Sequence, residues 1–153
     1  MNSLELKIPP VAVVLLSAAF MWMVSWLLPT GAVVVPGSLL IAITLAFAGA
    51  VVSALGVVAF RRASTTVNPT KPESTSVLVC SGVYTVTRNP MYLGFVLILF
   101  GWAFFLANML ALLVLPGFLR YMNRFQIEPE ERALTARFGQ SFVTYTSQVR
   151  RWL

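Results

Sequence analysis

Apolar residues run almost without interruption over positions 8–28, 39–60, 91–107 and 109–127, and polar residues gather between and after these runs. A helix that crosses a bilayer needs about 20 apolar residues, each advancing ~1.5 Å. Ile8–Leu28, Leu39–Phe60, Met91–Ala107 and Met109–Ile127 are therefore predicted as spans. Pro29-Thr30-Gly31 and Pro36-Gly37 punctuate the first connection. Asn108 marks a tight turn that makes the last two spans a helical hairpin, and Pro116-Gly117 is expected to bend the fourth. Positions 61–87 hold Arg61, Arg62, Pro69, Lys71, Pro72, Glu73 and many Ser and Thr, which reads as a connecting loop of about 25 residues, a length that usually carries function. Beyond Ile127, Glu128-Pro129-Glu130-Glu131 reads as a new helix start, with proline at the first helical position and acids in the first turn. Leu134, Phe138, Phe142, Tyr145 and Val149 then recur at helical spacing, and Gly139 divides the run into two short amphipathic helices. The expected fold is an all-α integral membrane protein with four transmembrane helices and C-terminal amphipathic helices. Residues 1–60 form a two-helix anchor region and 61–153 a core, within one structural domain.

Composition strengthens this picture. The chain is 58% hydrophobic and 10% charged, against about 45–50% and about 25% in soluble domains. Its net charge is +6, but the basic residues flank apolar runs, so anionic membrane lipid is the expected partner and nucleic acid is not. The 29–38 and 107–108 turns carry no Lys or Arg, whereas the 61–88 loop and the C-terminal tail are basic. The positive-inside rule then places that loop, the tail and both termini in the cytoplasm. Histidine and aspartate are absent and Cys80 is the single cysteine. Cys/His zinc sites, an internal disulfide, and Ser-His-Asp or Cys-His catalysis are thereby excluded, and no metal is expected.

Two polar clusters stand out against this background. In Arg88-Asn89-Pro90-Met91-Tyr92-Leu93-Gly94, Pro90 disfavours helix at Asn89 and suits the first turn of the third span. The unpaired N–H groups there, with the planar fork of Arg88, suit an anionic group. A juxtamembrane arginine reaching for lipid phosphate is the plainer reading. Glu130 and Glu131 are either helix-capping acids or a grip on a cation or on Arg88. Arg124 and Glu128, four apart, also allow a local ion pair. Gly82, Tyr84, Tyr92 and Gly94 fit interface or packing roles as well as a site, and Cys80 reads as a small packing residue.

The ordered series Leu78-Val79-Cys80-Ser81-Gly82-Val83-Tyr84, Arg88-Asn89-Pro90-Met91-Tyr92-Leu93-Gly94, Glu130-Glu131, Leu134, Phe138-Gly139, Tyr145 and Val149-Arg150 resembles the isoprenylcysteine carboxyl methyltransferase and phospholipid methyltransferase superfamily. Thr65-Thr66-Val67-Asn68-Pro69 fits its bacterial branch, which implies a multi-pass protein of a bacterial inner membrane. The resemblance covers residues 60–153 and implies binding of S-adenosylmethionine by the C-terminal half. It implies that Leu78 and Val79 line an adenosine pocket with backbone groups. Gly82, Tyr84, Asn89, Pro90, Tyr92 and Glu131 would shape the cofactor site. Glu130 or Glu131 would hold the methionyl ammonium, and Arg88, with Glu131 to align it, would act in catalysis or orient the substrate. Many members have histidine where this chain has Asn89, which cannot titrate near neutrality, so a histidine base at that position is excluded. The acceptor implied is a lipophilic molecule from the bilayer. A carboxylate acceptor needs no base, which leans towards it over an amine or thiol. Membrane sterol-type reductases that use NAD(P)H carry a related stretch, but Arg88-Asn89-Pro90-Met91-Tyr92 lacks their asparagine before the tyrosine. A membrane scaffold is a third reading, and it leaves the long 61–88 loop unexplained.

Overall fold

The computed structural model describes residues 5–33, 35–64 and 76–153. The Thr65–Pro69 motif, with the rest of residues 65–75 of the 61–87 loop, lies outside the described residues. The described residues are helical, with one isolated bridge between Ala32 and Asn108. Six α-helices follow in order: α1 Pro10–Leu27, α2 Ser38–Arg62, α3 Pro90–Leu106, α4 Val114–Met122, α5 Glu128–Phe138 and α6 Gln140–Gln148.

The helices α1 and α2 are long and apolar enough to cross a bilayer, with mean hydropathies of 2.0 and 2.4. Leu15, Leu16, Trp22 and Trp26 on α1, and Leu40, Ile43 and Phe47 on α2, point away from the protein. Outward apolar side chains on both helices are what lipid contact requires. Pro10 opens α1, where its missing N–H costs nothing, and Arg61 and Arg62 close α2 against the negative end of its dipole.

At 17 residues, α3 is shorter, and it sits at the centre of the fold. It lies tightly along α2 through glycines. A side chain at Gly49 would sit 2.5 Å from the Gly94 carbonyl, and one at Gly101 would sit 2.8 Å from the Ala42 carbonyl. Small residues let two helix backbones approach this closely where water provides no driving force. Ser53 in the same seam donates to the Met91 carbonyl at 3.2 Å. On its other faces α3 meets α1 and α4, where Met21, Leu99, Phe118 and Met122 form the core. The Trp102 indole N–H donates to the Ala18 carbonyl at 3.0 Å and ties α3 to α1.

The sequence expects a fourth continuous helix over 109–127 and a fresh helix start at Glu128. The chain instead makes a 3₁₀ turn over Met109–Leu113, then α4, then a π turn over Asn123–Ile127. Asn108 fixes the 3₁₀ turn: its amide donates to Leu28 O at 3.0 Å and its carbonyl oxygen accepts from Leu110 N at 2.9 Å. The π turn leads into α5 with no break, since Ile127 and Glu128 keep helical dihedrals (φ −69°, ψ −48° and φ −61°, ψ −43°). Pro129 is the physical reason for the detour. Lacking an N–H, it cannot bond the Phe125 carbonyl four residues back. That carbonyl accepts from Leu6 N at 3.0 Å instead. Gln126, fully buried, donates to the Ile8 carbonyl at 2.7 Å, so the segment before α1 is fastened to the π turn twice. α5 begins at Glu128 with Pro129, Glu130 and Glu131 in its first turn, as the sequence predicts, but it runs straight out of the π turn. The break at Gly139 is as expected: its φ of +53° suits glycine and ends α5.

Candidate functional site

The polar site forms where the segment before α3, the first turn of α3, the start of α5 and the last residues of the chain meet. Residues 78–89 carry little regular structure and are held from both sides. Tyr84, in a 3₁₀ turn over Gly82–Thr85, is buried and packs edge-on against Phe60 of α2 at 5.4 Å. The Tyr145 hydroxyl donates to the Tyr84 carbonyl at 2.7 Å. Leu78 joins the small core made by Phe142, Tyr145 and Val149, and Val79 is buried beside it in the chain.

A strap from the C-terminal tail fixes the next three residues. Arg88 N donates to the Arg150 carbonyl at 3.0 Å. The Asn89 amide and the Thr87 hydroxyl both donate to the Arg151 carbonyl, at 2.9 and 3.3 Å. Thr87 also accepts from Asn89 N at 3.2 Å. Pro90 then opens α3, as the sequence predicts.

Above this frame lies a cluster of charge. Glu131 is gripped by two arginines: Arg88 Nη2 at 3.2 Å, and Arg151 through Nη2 at 2.6 Å and Nε at 3.2 Å. The neighbouring acid is in a different position. Glu130 accepts a short hydrogen bond from the Tyr92 hydroxyl in the first turn of α3, and among the described residues it forms no ion pair. Burial raises its pKa to about 8; the Tyr92 hydrogen bond works against the rise and the charge of Glu131 adds to it. Burial also pushes the Tyr84 hydroxyl up, helped by Tyr145 and Glu130. Arg88 carries a complementary lack: its Nε is buried with no hydrogen-bond partner among the described residues.

Arg88, Asn89, Tyr92, Glu130 and Glu131, all singled out from the sequence, thus come together. Tyr84 lies within electrostatic reach of Glu130. Pro90 is fully buried as the support of the α3 start. Gly82, with φ +63°, is exposed and faces open space. Cys80 is exposed and its thiol is raised by partial burial, opposite to the shift that activates a nucleophile. Arg151 and Thr87 were not foreseen. The only signal in the sequence was a pair of arginines near the end of the chain, which reads equally well as membrane flanking.

Among the described residues the geometry offers one partly buried carboxyl without a cation and one buried guanidinium N–H without an acceptor, beside an acid already satisfied.

Residues 32–141 match the phospholipid methyltransferase family. The chain is 44% identical over 63 residues to an uncharacterized protein of Haemophilus influenzae, covering 41% of this chain and all of that protein. It is 36% identical over 80 residues to the protein-S-isoprenylcysteine O-methyltransferase of Saccharomyces cerevisiae. That match takes in 52% of this chain and 34% of the yeast enzyme, so the chain spans about a third of that relative. No solved structure matches the chain. The family match runs from the turn after α1 through α2, α3 and the acids of α5 to the start of α6, most of the chain: this is a membrane methyltransferase of the phospholipid methyltransferase family, in the superfamily shared with the isoprenylcysteine carboxyl methyltransferases.

Proposed function

We propose that the protein is an S-adenosylmethionine-dependent methyltransferase that acts on a lipophilic acceptor drawn from the bilayer, isoprenylcysteine carboxylate-like or phospholipid-like. The observation that carries this reading is the unmet pair, Glu130 and the Arg88 Nε. The methionyl end of the cofactor has an ammonium and a carboxylate, and these two groups fit the two needs. When bound, the cofactor supplies a methyl group already activated as an electrophile.

The residues of the chain then have distinct tasks. Glu130 holds the ammonium, with Tyr92 fixing the carboxyl. Glu131 holds Arg88 in place, sharing that work with Arg151, and Arg88 orients an anionic group. Asn89 secures the strap and does no acid–base work. Leu78, Val79, Gly82 and Tyr84 belong to the wall of the adenosine side. Alignment of reactants is worth about 7–11 kcal/mol of a barrier. A carboxylate acceptor needs only that alignment and a cation to hold it, and the site is rich in arginine and poor in bases. The topology proposed with this reading has four spans, the third being α3 and the fourth the segmented run from Met109 to Ile127. Both termini and the site face the cytoplasm of a bacterial inner membrane.

Calorimetry on the detergent-solubilised protein tests the cofactor. S-adenosylhomocysteine will bind and NADPH will not; binding of NADPH alone overturns the reading. Transfer of labelled methyl groups into membrane lipid extracts will identify the acceptor, and Arg88→Ala will abolish it.

A further inference from the structure

A groove runs between α1 and the α4 side of the molecule, and neither Tyr92 nor Glu130 lines it. Its apolar stretch, about 620 Å³, is lined by Val13, Phe20 and Val24 of α1 and by Leu113, Gly117 and Tyr121 opposite. Along α1 the lining extends from Ile8, just before the helix, to Leu28, just after it, so the stretch follows all 18 residues of α1, ~27 Å, most of a ~30 Å hydrocarbon core. Gly117 and Tyr121 also line a second stretch of about 840 Å³, bordered by Arg120, Asn123, Arg124 and Glu128. One stretch is therefore apolar, and the other is polar.

The polar end has surplus positive charge. Arg124 is committed to Glu128 at 3.0 Å and approaches Glu5 at 3.9 Å, and Glu5 is also held by Arg132 at 2.7 Å. Arg120 is exposed and forms no ion pair among the described residues. Two arginines against one glutamate leave the border of this stretch at +1. Between the two stretches stands Tyr121, whose hydroxyl is buried without a hydrogen-bond partner among the described residues.

We propose that this groove binds one membrane lipid with an anionic phosphate headgroup, separate from the methyl-transfer site. One acyl chain lies along α1 over Gly117, an ester oxygen accepts from the Tyr121 hydroxyl, and the phosphate rests on Arg120 with Arg124 behind it. The charge and the unmet hydroxyl together specify this occupant. A second copy of the chain or another apolar helix fills the apolar stretch but leaves Arg120 unanswered.

The test is native mass spectrometry of the full chain, stripped of lipid in detergent and titrated with phosphatidylglycerol or phosphatidylcholine. Wild-type protein will retain one phosphatidylglycerol about fivefold better than phosphatidylcholine, the scale of one basic side chain at a membrane surface. Arg120→Gln will bring the two lipids to parity. Gly117→Leu will reduce retention of both. A Cβ at 117 meets nothing within 4 Å and leucine favours helix, so this variant keeps the thermal stability of the wild type. Equal retention of both lipids by the wild type, an undiminished preference in Arg120→Gln, or a lipid-free dimer as the main species overturns the proposal. No readout depends on methyl transfer, so the result stands whatever the fate of the cofactor assignment.

Discussion

Placing a cation beside Glu130 will drive a proton off it. With its pKa near 8, this carboxyl is about nine-tenths protonated at pH 7 in the ligand-free protein. A bound ammonium within a few ångströms favours the ionised form and returns the pKa towards the ordinary carboxyl range. Binding of S-adenosylhomocysteine at pH 7 will therefore release about 0.9 proton, and its affinity will rise close to tenfold per pH unit near pH 6. Calorimetry in several buffers of different ionisation enthalpy reads the release directly, as the slope of observed enthalpy against buffer enthalpy. Glu130→Gln will bind more weakly and release no proton. The reasoning fails if the wild type binds the ligand with release below about 0.2 proton at pH 7. It fails equally if Glu130→Gln keeps the full release, since another group would then be its source.

Other outcomes follow from the same geometry. Tyr92→Phe removes the one interaction that lowers the Glu130 pKa, so the rise of affinity with pH will move to higher pH, measurable by repeating the calorimetric series. In the ligand-free protein, Glu130 binds its proton more tightly than in the unfolded chain. Stability from this group is therefore present below an ordinary carboxyl value of 4.5 and is lost as pH rises through about 8. Thermal unfolding in detergent will show a falling midpoint between pH 5 and 9, and Glu130→Gln will flatten it. Arg151→Ala leaves Glu131 with Arg88 alone and lets Arg88 swing; labelled-methyl transfer will fall about tenfold to hundredfold, in the turnover number more than in KM for the acceptor. Gly94→Val forces a side chain into the Gly49 carbonyl and Ser53, and will destabilise the α2–α3 seam by about 1–3 kcal/mol or more in detergent unfolding.

The lengths of α1, α2 and α3 were legible because they depend on local properties, apolar runs and Pro90 at a helix start, as did the end of α5 at Gly139. The pairing of Arg88 with Glu131 was legible as chemistry, because isolated charges in so apolar a chain need partners. The helix start at Glu128 was legible, but its signature suits equally a start after a break and a start straight out of a π turn. What separates the two is the Leu6 N–H on the Phe125 carbonyl, a contact across more than a hundred residues that no local pattern carries. Arg151 was missed for a related reason: its role depends on the tail folding back on 87–89, and the strap is made largely of backbone carbonyls, which every residue possesses.

The π turn over Asn123–Ile127 also sets the compass bearing of everything after it. Successive residues of an α-helix are ~100° apart, so deleting one residue between 123 and 127 would swing Glu130 away from Tyr92, and Glu131 away from Arg88, by about that angle. Helix length alone would change by only ~1.5 Å. Whole turns can in principle be added to the apolar helices to suit a thicker bilayer, but this segment tolerates no such adjustment. Chimaeras that exchange α4 between relatives will work only where the count from Met122 to Glu130 is kept.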